Sequence, residues 1–295
     1  MRAQSGFMVI KIKYKGAHII NSPFLVFCPS MRQPIFIANG KPYGLVLNTK
    51  SLLVSDVQQG TISEYPILTP GPPPRVMKSG LNGPRAIALD ENNGDLYVAE
   101  GGTSRLIVFG ADWTQKQTLG TLGDGPGQLR APRSFLLLPD DTVLVCDTDA
   151  CRLQVLDKQG RFLKMIGTAG KELGQFRYPL GAALSPVNGE IVIADCDNNR
   201  LQFLNPSTLE TFAELGNPDK GDVTLAKPCC VTYDLLGNLY VCEQGGNCVK
   251  VFSPDRRHII TLGPTKGLNE PRGVAIAADG SVCVSDTNNS RIVFF

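Results

Sequence analysis

Along most of the chain, short apolar runs alternate with turn residues at a nearly constant period. In "PRAIALDENNGDLYVAEGGTSRLIVF", Pro84 to Phe109, a short apolar stretch (Ala86–Leu89) precedes one of β-branched and aromatic residues (Leu96–Ala99). Ile191–Ala194 repeats the second kind of stretch, and Arg200–Leu204 and Arg291–Phe294 then alternate apolar with polar positions. Such runs predict three strands per unit. Asn93-Gly94 and Asp279-Gly280 predict the turn from the first strand to the second. The unit recurs from Pro132, Pro179, Pro228 and Pro271, with a weaker copy from Pro42; successive prolines are 42, 48, 47, 49 and 43 residues apart. A fourth apolar stretch ending in glycine ("QKQTLG", "RFLKMIG", "TFAELG", "HIITLG") lies between units. Six units of four antiparallel strands predict an all-β, six-bladed β-propeller.

The sixth unit has no fourth stretch before Phe295, but "PIFIANGKP", Pro34 to Pro42, is a spare copy upstream of the first. Laid beside Arg291–Phe295, this N-terminal strand is expected to complete the last blade and close the ring, removing an unpaired edge.

Composition narrows the class. The 295 residues are 42% hydrophobic and 19% charged, as in a globular protein, and no apolar run is long enough for a membrane helix. Met1 to Phe7 lacks the order of a signal peptide. Of nine cysteines, Cys146 and Cys242 occupy positions held by Ala99, Ala194 and Ser285 in sibling units, adjacent Cys229 and Cys230 suit a disulfide poorly, and no pair has CxxC spacing. A cytoplasmic setting is expected, with no structural zinc. A formal charge of +2 predicts no wholesale affinity for nucleic acid, so any basic surface must be local, and neither DNA nor a membrane is expected as a partner.

Candidate chemistry lies at recurring positions. The second strand of each unit ends in an acid (Asp56, Glu100, Asp147, Asp195, Glu243, Asp286), and five residues later stands Thr61, Arg105, Arg152, Arg200, Cys248 or Arg291. Recurrence in every unit favours a turn-stabilising ion pair over catalysis. Two histidines, His18 and His258, cannot build a multi-histidine site, and no Ser-His-Asp arrangement is suggested. No catalytic residue, metal or cofactor is therefore expected, although carboxylate and asparagine ligands for calcium stay open. The positions flanking the unit prolines hold Lys41, Tyr43, Arg85, Arg130, Arg133, Arg177, Tyr178, Lys227 and Arg272, all expected on one face at the mouth of the central channel. Cations bind phosphates and tyrosines stack on unpaired bases, so Lys41, Tyr43, Arg85, Arg133, Tyr178, Lys227 and Arg272 form a candidate RNA- or partner-binding set. The competing reading is that the cations merely solvate a rim and partner the acids.

The unit closely resembles the NHL repeat, P-x-G-V-A-x-D-x-x-G-x-I-Y-V-A-D-x-x-N-x-R-I-Q-V-F, over roughly residues 31 to 295. "PRGVAIAADGSVCVSDTNNSRIVFF" and "GEIVIADCDNNRLQF" match best, whereas units one and five depart at Thr61 and Cys248. "GFMVIKIKYKGAHIINSPFLVFCP", Gly6 to Pro29, looks like the last two strands of a filamin-type immunoglobulin-like repeat, most of which is missing. The chain is thus divided into residues 1–28, the tail of that repeat, and a propeller over 29–295, with Met1 an internal start or fragment boundary. This order resembles the C-terminal part of TRIM-NHL proteins, and the ending "N-x-R-I-x-V-F" that of the LIN-41-like branch. The resemblance implies a recognition module, several relatives binding RNA hairpins or short single-stranded motifs for post-transcriptional repression. It also implies ubiquitin ligase relatives built with RING, B-box and coiled-coil segments. This chain has none of their zinc-ligand patterns, so no activity is expected of it, and a lone propeller is expected to be a monomer. Recruitment of protein partners or ubiquitination substrates is the alternative function.

Overall fold

The dipeptide turns form as their residues require: Gly94 and Gly280 take φ of 75° and 85°, accessible to glycine without a Cβ clash, and lead each first strand into the second. The computed structural model describes residues 40–47, 51–66, 74–277 and 279–295, together with the backbone of 35–36. The filamin-type segment assigned to 1–28 lies outside the described residues.

Six four-stranded antiparallel sheets follow one another. Blade 1 comprises Pro42–Leu47, Ser51–Asp56, Thr61–Pro66 and Arg75–Lys78, and blade 2 Pro84–Asp90, Asp95–Glu100, Arg105–Phe109 and Gln115–Leu119. Blade 3 runs Ser134–Leu137, Thr142–Asp147, Arg152–Asp157 and Phe162–Ile166, and blade 4 Pro179–Leu184, Ile191–Asp195, Arg200–Leu204 and Thr211–Leu215. Blade 5 has Pro228–Tyr233, Leu239–Glu243, Cys248–Phe252 and His258–Leu262. Blade 6 has Pro271–Ile276, Val282–Asp286 and Arg291–Phe294, and its outer position is taken by Ile35–Phe36, which pairs antiparallel with Ile292 and Arg291. The first strands of successive blades adjoin one another around the axis, with blade 6 next to blade 1. Among the described residues no helix is long and apolar enough to cross a membrane.

The core lies between blades, where alternate positions of neighbouring sheets meet. Leu201 and Phe203 of blade 4 pack with Val231 and Val241 of blade 5, and Leu52 and Val54 of blade 1 with Cys283 and Ile292 of blade 6. Hydroxyls stitch the inner strands: Ser285 Oγ donates to the carbonyl of Tyr43 (2.8 Å) and Thr287 Oγ1 to that of Pro42 (2.7 Å), joining last blade to first. Inner strands approach so closely there that a Cβ at Gly273 would overlap the carbonyl oxygen of Tyr43.

Candidate recognition site at the channel mouth

In blades 2 to 6 the acid fixes the connector leading into its blade. The backbone N–H two residues before the unit proline donates to it: Asn82 to Glu100 (2.8 Å), Arg177 to Asp195 (2.7 Å), Ala226 to Glu243 (3.2 Å) and Asn269 to Asp286 (2.7 Å). The arginine five residues on closes the other side, Nε to carboxylate, in Arg105–Glu100 (2.8 Å), Arg152–Asp147 (2.7 Å), Arg200–Asp195 (2.8 Å) and Arg291–Asp286 (2.6 Å). Arg152 also donates through Nη1 to the carbonyl of Asp124 (2.7 Å) and through Nη2 to that of Gln128 (3.1 Å), tying the connector down twice. In blade 5, where Cys248 replaces arginine, Lys250 reaches Glu243 instead (2.8 Å). These carboxylates are buried and engaged, which is structural work.

Because each connector bonds to the turn following an acid, as Asp149 N–H does to Arg130 O and Asp197 N–H to Arg177 O (3.2 and 3.0 Å), all these loops share one face. Residues beside the unit prolines are thereby presented at the axial mouth. The Arg85 guanidinium lies 5.3 Å from the Tyr43 ring centroid, and that of Arg133 lies 4.6 Å from the Tyr178 ring centroid. Both arginines are half-buried, and the Nε of each is buried without a hydrogen-bond partner among the described residues. Burial lowers the Arg85 pKa, Arg133 beside it pushes the same way, and Tyr43 opposes both. Burial raises the Tyr43 phenol against the nearby charges of Arg85, Arg272 and Arg133, and raises Tyr178 against those of Arg133 and Arg85. Arg272 keeps its charge despite burial because Glu270 accepts from its Nη2 (2.8 Å).

Five of the seven candidate residues, Tyr43, Arg85, Arg133, Tyr178 and Arg272, therefore lie within electrostatic reach of one another. Lys227 and Lys41 stand exposed on the rim, Lys227 near Asp197 (3.8 Å) and Lys41 donating to Asn288 (3.4 Å). Arg177 turns away from the axis to line a cleft of about 840 Å³ over blade 4, with Lys171, Leu173, Phe212, Glu214 and Lys220. Cys229, which the sequence marks only as one of two adjacent cysteines, belongs to this cluster. Its buried thiol donates to the carbonyls of Pro271 (3.2 Å) and Cys242 (3.3 Å) beside Tyr43 and Arg272. Asp149, beside Tyr178, was missed too; its place in the turn after an acid was the one available signal. Among the described residues no group of three His, Cys, Asp or Glu converges as a metal set.

Residues 81–109, 176–202 and 268–295 match the NHL repeat family. The chain carries NHL repeats on a six-bladed β-propeller. It is 28% identical over 269 residues to peptidyl-glycine alpha-amidating monooxygenase A of Xenopus laevis, covering 81% of this chain and 28% of that protein. To the protein brain tumor of Drosophila melanogaster it is 27% identical over 152 residues, 50% of this chain and 14% of that one. The chain thus spans less than a third of the length of either relative. Its fold matches that of a gluconolactonase from Xanthomonas campestris, with a TM-score of 0.67 at 13% identity over 88% of this chain and 87% of that one.

Proposed function

We propose that the channel-mouth face is a non-catalytic recognition surface for RNA, a hairpin or a short single-stranded motif, used in post-transcriptional repression. The observation that carries this reading is the pair of buried, unpartnered Nε donors on Arg85 and Arg133, each guanidinium beside a tyrosine ring. Desolvated cations with donors to spare suit phosphate oxygens, and the neighbouring rings suit splayed bases. The resemblance to TRIM-NHL proteins of the LIN-41-like branch supports the same reading, with 1–28 as the tail of a filamin-type repeat and the cytoplasm as the place of action. Arg133 and Tyr178 lead into adjacent blades, so the site forms across a blade boundary.

Fluorescence anisotropy of the chain against a stem-loop RNA pool, at low and moderate salt, tests this. Saturable binding that falls steeply with salt and disappears in Arg85→Glu/Arg133→Glu is expected. Absence of binding at low salt, or binding that survives both changes, overturns it. The competing reading, a protein-recruiting platform, draws on the cleft over blade 4, where exposed Leu173 and Phe212 lie among charges of both signs. It predicts capture of a peptide partner with shallow salt dependence.

A further inference from the structure

Blade 1 breaks the ion-pair rule of its siblings. In blades 2, 3, 4 and 6 the carboxylate ending the second strand meets an arginine, and in blade 5 it meets Lys250. The two equivalent positions of blade 1 are Thr61 and Ser63, which carry no charge. Asp56 is nevertheless as buried as its counterparts, with 4% of its surface exposed. Its Oδ1 accepts from the backbone N–H groups of Gln58 (3.0 Å) and Gln59 (2.8 Å), whereas Oδ2 has no hydrogen-bond partner among the described residues. Oδ2 lies against Gly40, where a Cβ would overlap it.

Next to Asp56 lies a cavity of about 210 Å³, lined by Thr61, Ser63, Tyr65, Val54 and Val76. It occupies the side of the sheet on which arginine or lysine fills the other blades. Burial first, and then the charge of Asp56, push the Tyr65 phenol up to about 12, so the carboxylate's field reaches across the cavity. A buried carboxylate lacking a counter-charge is costly, and the other five blades each supply one.

We infer that this cavity is a binding site for a guanidinium group, the side chain of an arginine delivered from outside blade 1. A planar guanidinium can pair with Oδ2, as its siblings' arginines do. Its remaining N–H donors face three hydroxyl side chains able to accept them. The valines at 54 and 76 give the alkyl stem an apolar wall. The volume equals several times one water's share of about 30 Å³, which suits a group of this size rather than a single solvent molecule. The site is separate from the channel mouth, and the inference does not depend on RNA binding. Arg2 and Arg32 of this chain lie outside the described residues, so the arginine can come from the chain itself or from a partner, with the same chemistry.

The test is thermal unfolding of the full chain with ethylguanidinium chloride at low millimolar concentration, against sodium chloride and calcium chloride at equal ionic strength. A saturable rise in Tm is expected, lost in Asp56→Asn. Thr61→Arg should have a higher Tm than the parent without the probe and should no longer respond, and it carries the test if Asp56→Asn fails to fold. A response seen only after Arg2→Gln/Arg32→Gln identifies the chain's own arginine as the occupant, and a response in the parent identifies an external one. No response in either background overturns the inference. So does a response matched by sodium or calcium, or one that Thr61→Arg leaves intact.

Discussion

Arg133 of blade 3 lies over the ring of Tyr178, the residue that leads into blade 4, with 4.6 Å from guanidinium carbon to ring centroid. The stack forms because Tyr178 holds a left-handed backbone (φ 60°) immediately before Pro179, which turns its ring toward the axis. If the channel mouth reads RNA, Tyr178→Ala should weaken binding by about 1–3 kcal/mol, the range for loss of one base–aromatic stack. Tyr178→Phe should keep most of the affinity. Titration of a short hairpin against both variants checks this; equal loss in the two would assign the effect to the hydroxyl.

The residue before the unit proline takes positive φ repeatedly: 62° at Gly83, 48° at Ala131, 49° at Lys227 and 46° at Glu270. Of these only Gly83 lacks a Cβ, so Ala131, Lys227 and Glu270 carry steric strain. Relief of roughly 1–2 kcal/mol is partly offset by glycine's conformational entropy of roughly 0.5–1 kcal/mol. Ala131→Gly should therefore stabilise the fold by about 0.5–1 kcal/mol. An urea midpoint that moves down instead would show that the Ala131 side chain contributes packing worth more than the strain.

Loss of a buried ion pair should be felt strongly. Asp147 is fully buried, its Oδ2 accepting from both Arg152 and Gln154. Asp147→Ala strands the arginine and should cost about 3–5 kcal/mol, read as a fall in Tm together with proteolysis in the connector between Gly120 and Pro132. Arg105→Ala, whose side chain is 36% exposed, should cost clearly less.

Glu214 gives a pH signature. Burial would raise its carboxyl, but hydrogen bonds from Lys220, Asn217 and Arg200 outweigh this and hold it at about 2, below its ordinary 4.5. A depressed folded-state pKa adds stability that is present above 4.5 and is lost as pH falls toward about 2. Glu214→Gln should flatten that part of the stability curve; an unchanged acid limb would mean that the carboxylate is not engaged.

Gly273→Ala places a methyl on the carbonyl oxygen of Tyr43 and forces the first and last blades apart. A cost of roughly 1–3 kcal/mol is expected, as for overpacking, with a parallel loss at the channel mouth because Tyr43 must move. A stable variant with unchanged affinity would uncouple the two.

Much of the blade architecture is written locally. Asn93-Gly94 and Asp279-Gly280 demand particular turns, and each acid precedes its arginine by a fixed interval, so the repeat and its structural ion pairs could be read from the chain. What could not be read is how the ring arranges its neighbours. Arg85, Arg133 and Arg272 are alike as sequence, yet Arg272 has Glu270 while the other two bury an Nε alone. Arg177 sits beside Tyr178 in the chain but faces a different cleft. Lys250 repairs blade 5 from two positions beyond Cys248, whereas nothing within the described part of blade 1 does so for Asp56. Such differences arise between blades, from contacts remote in sequence, where a motif has no information.

The carboxylate and its arginine hold each connector by its backbone at a few points, contacts that do not depend on which side chains the connector carries. The loop from Gly120 to Pro132 and the shorter one from Gly263 to Pro271 end on the same anchor. In evolutionary terms the face behaves as a set of editable slots, in which a lineage can lengthen, recharge or exchange one loop and acquire a new ligand without renegotiating the fold beneath it.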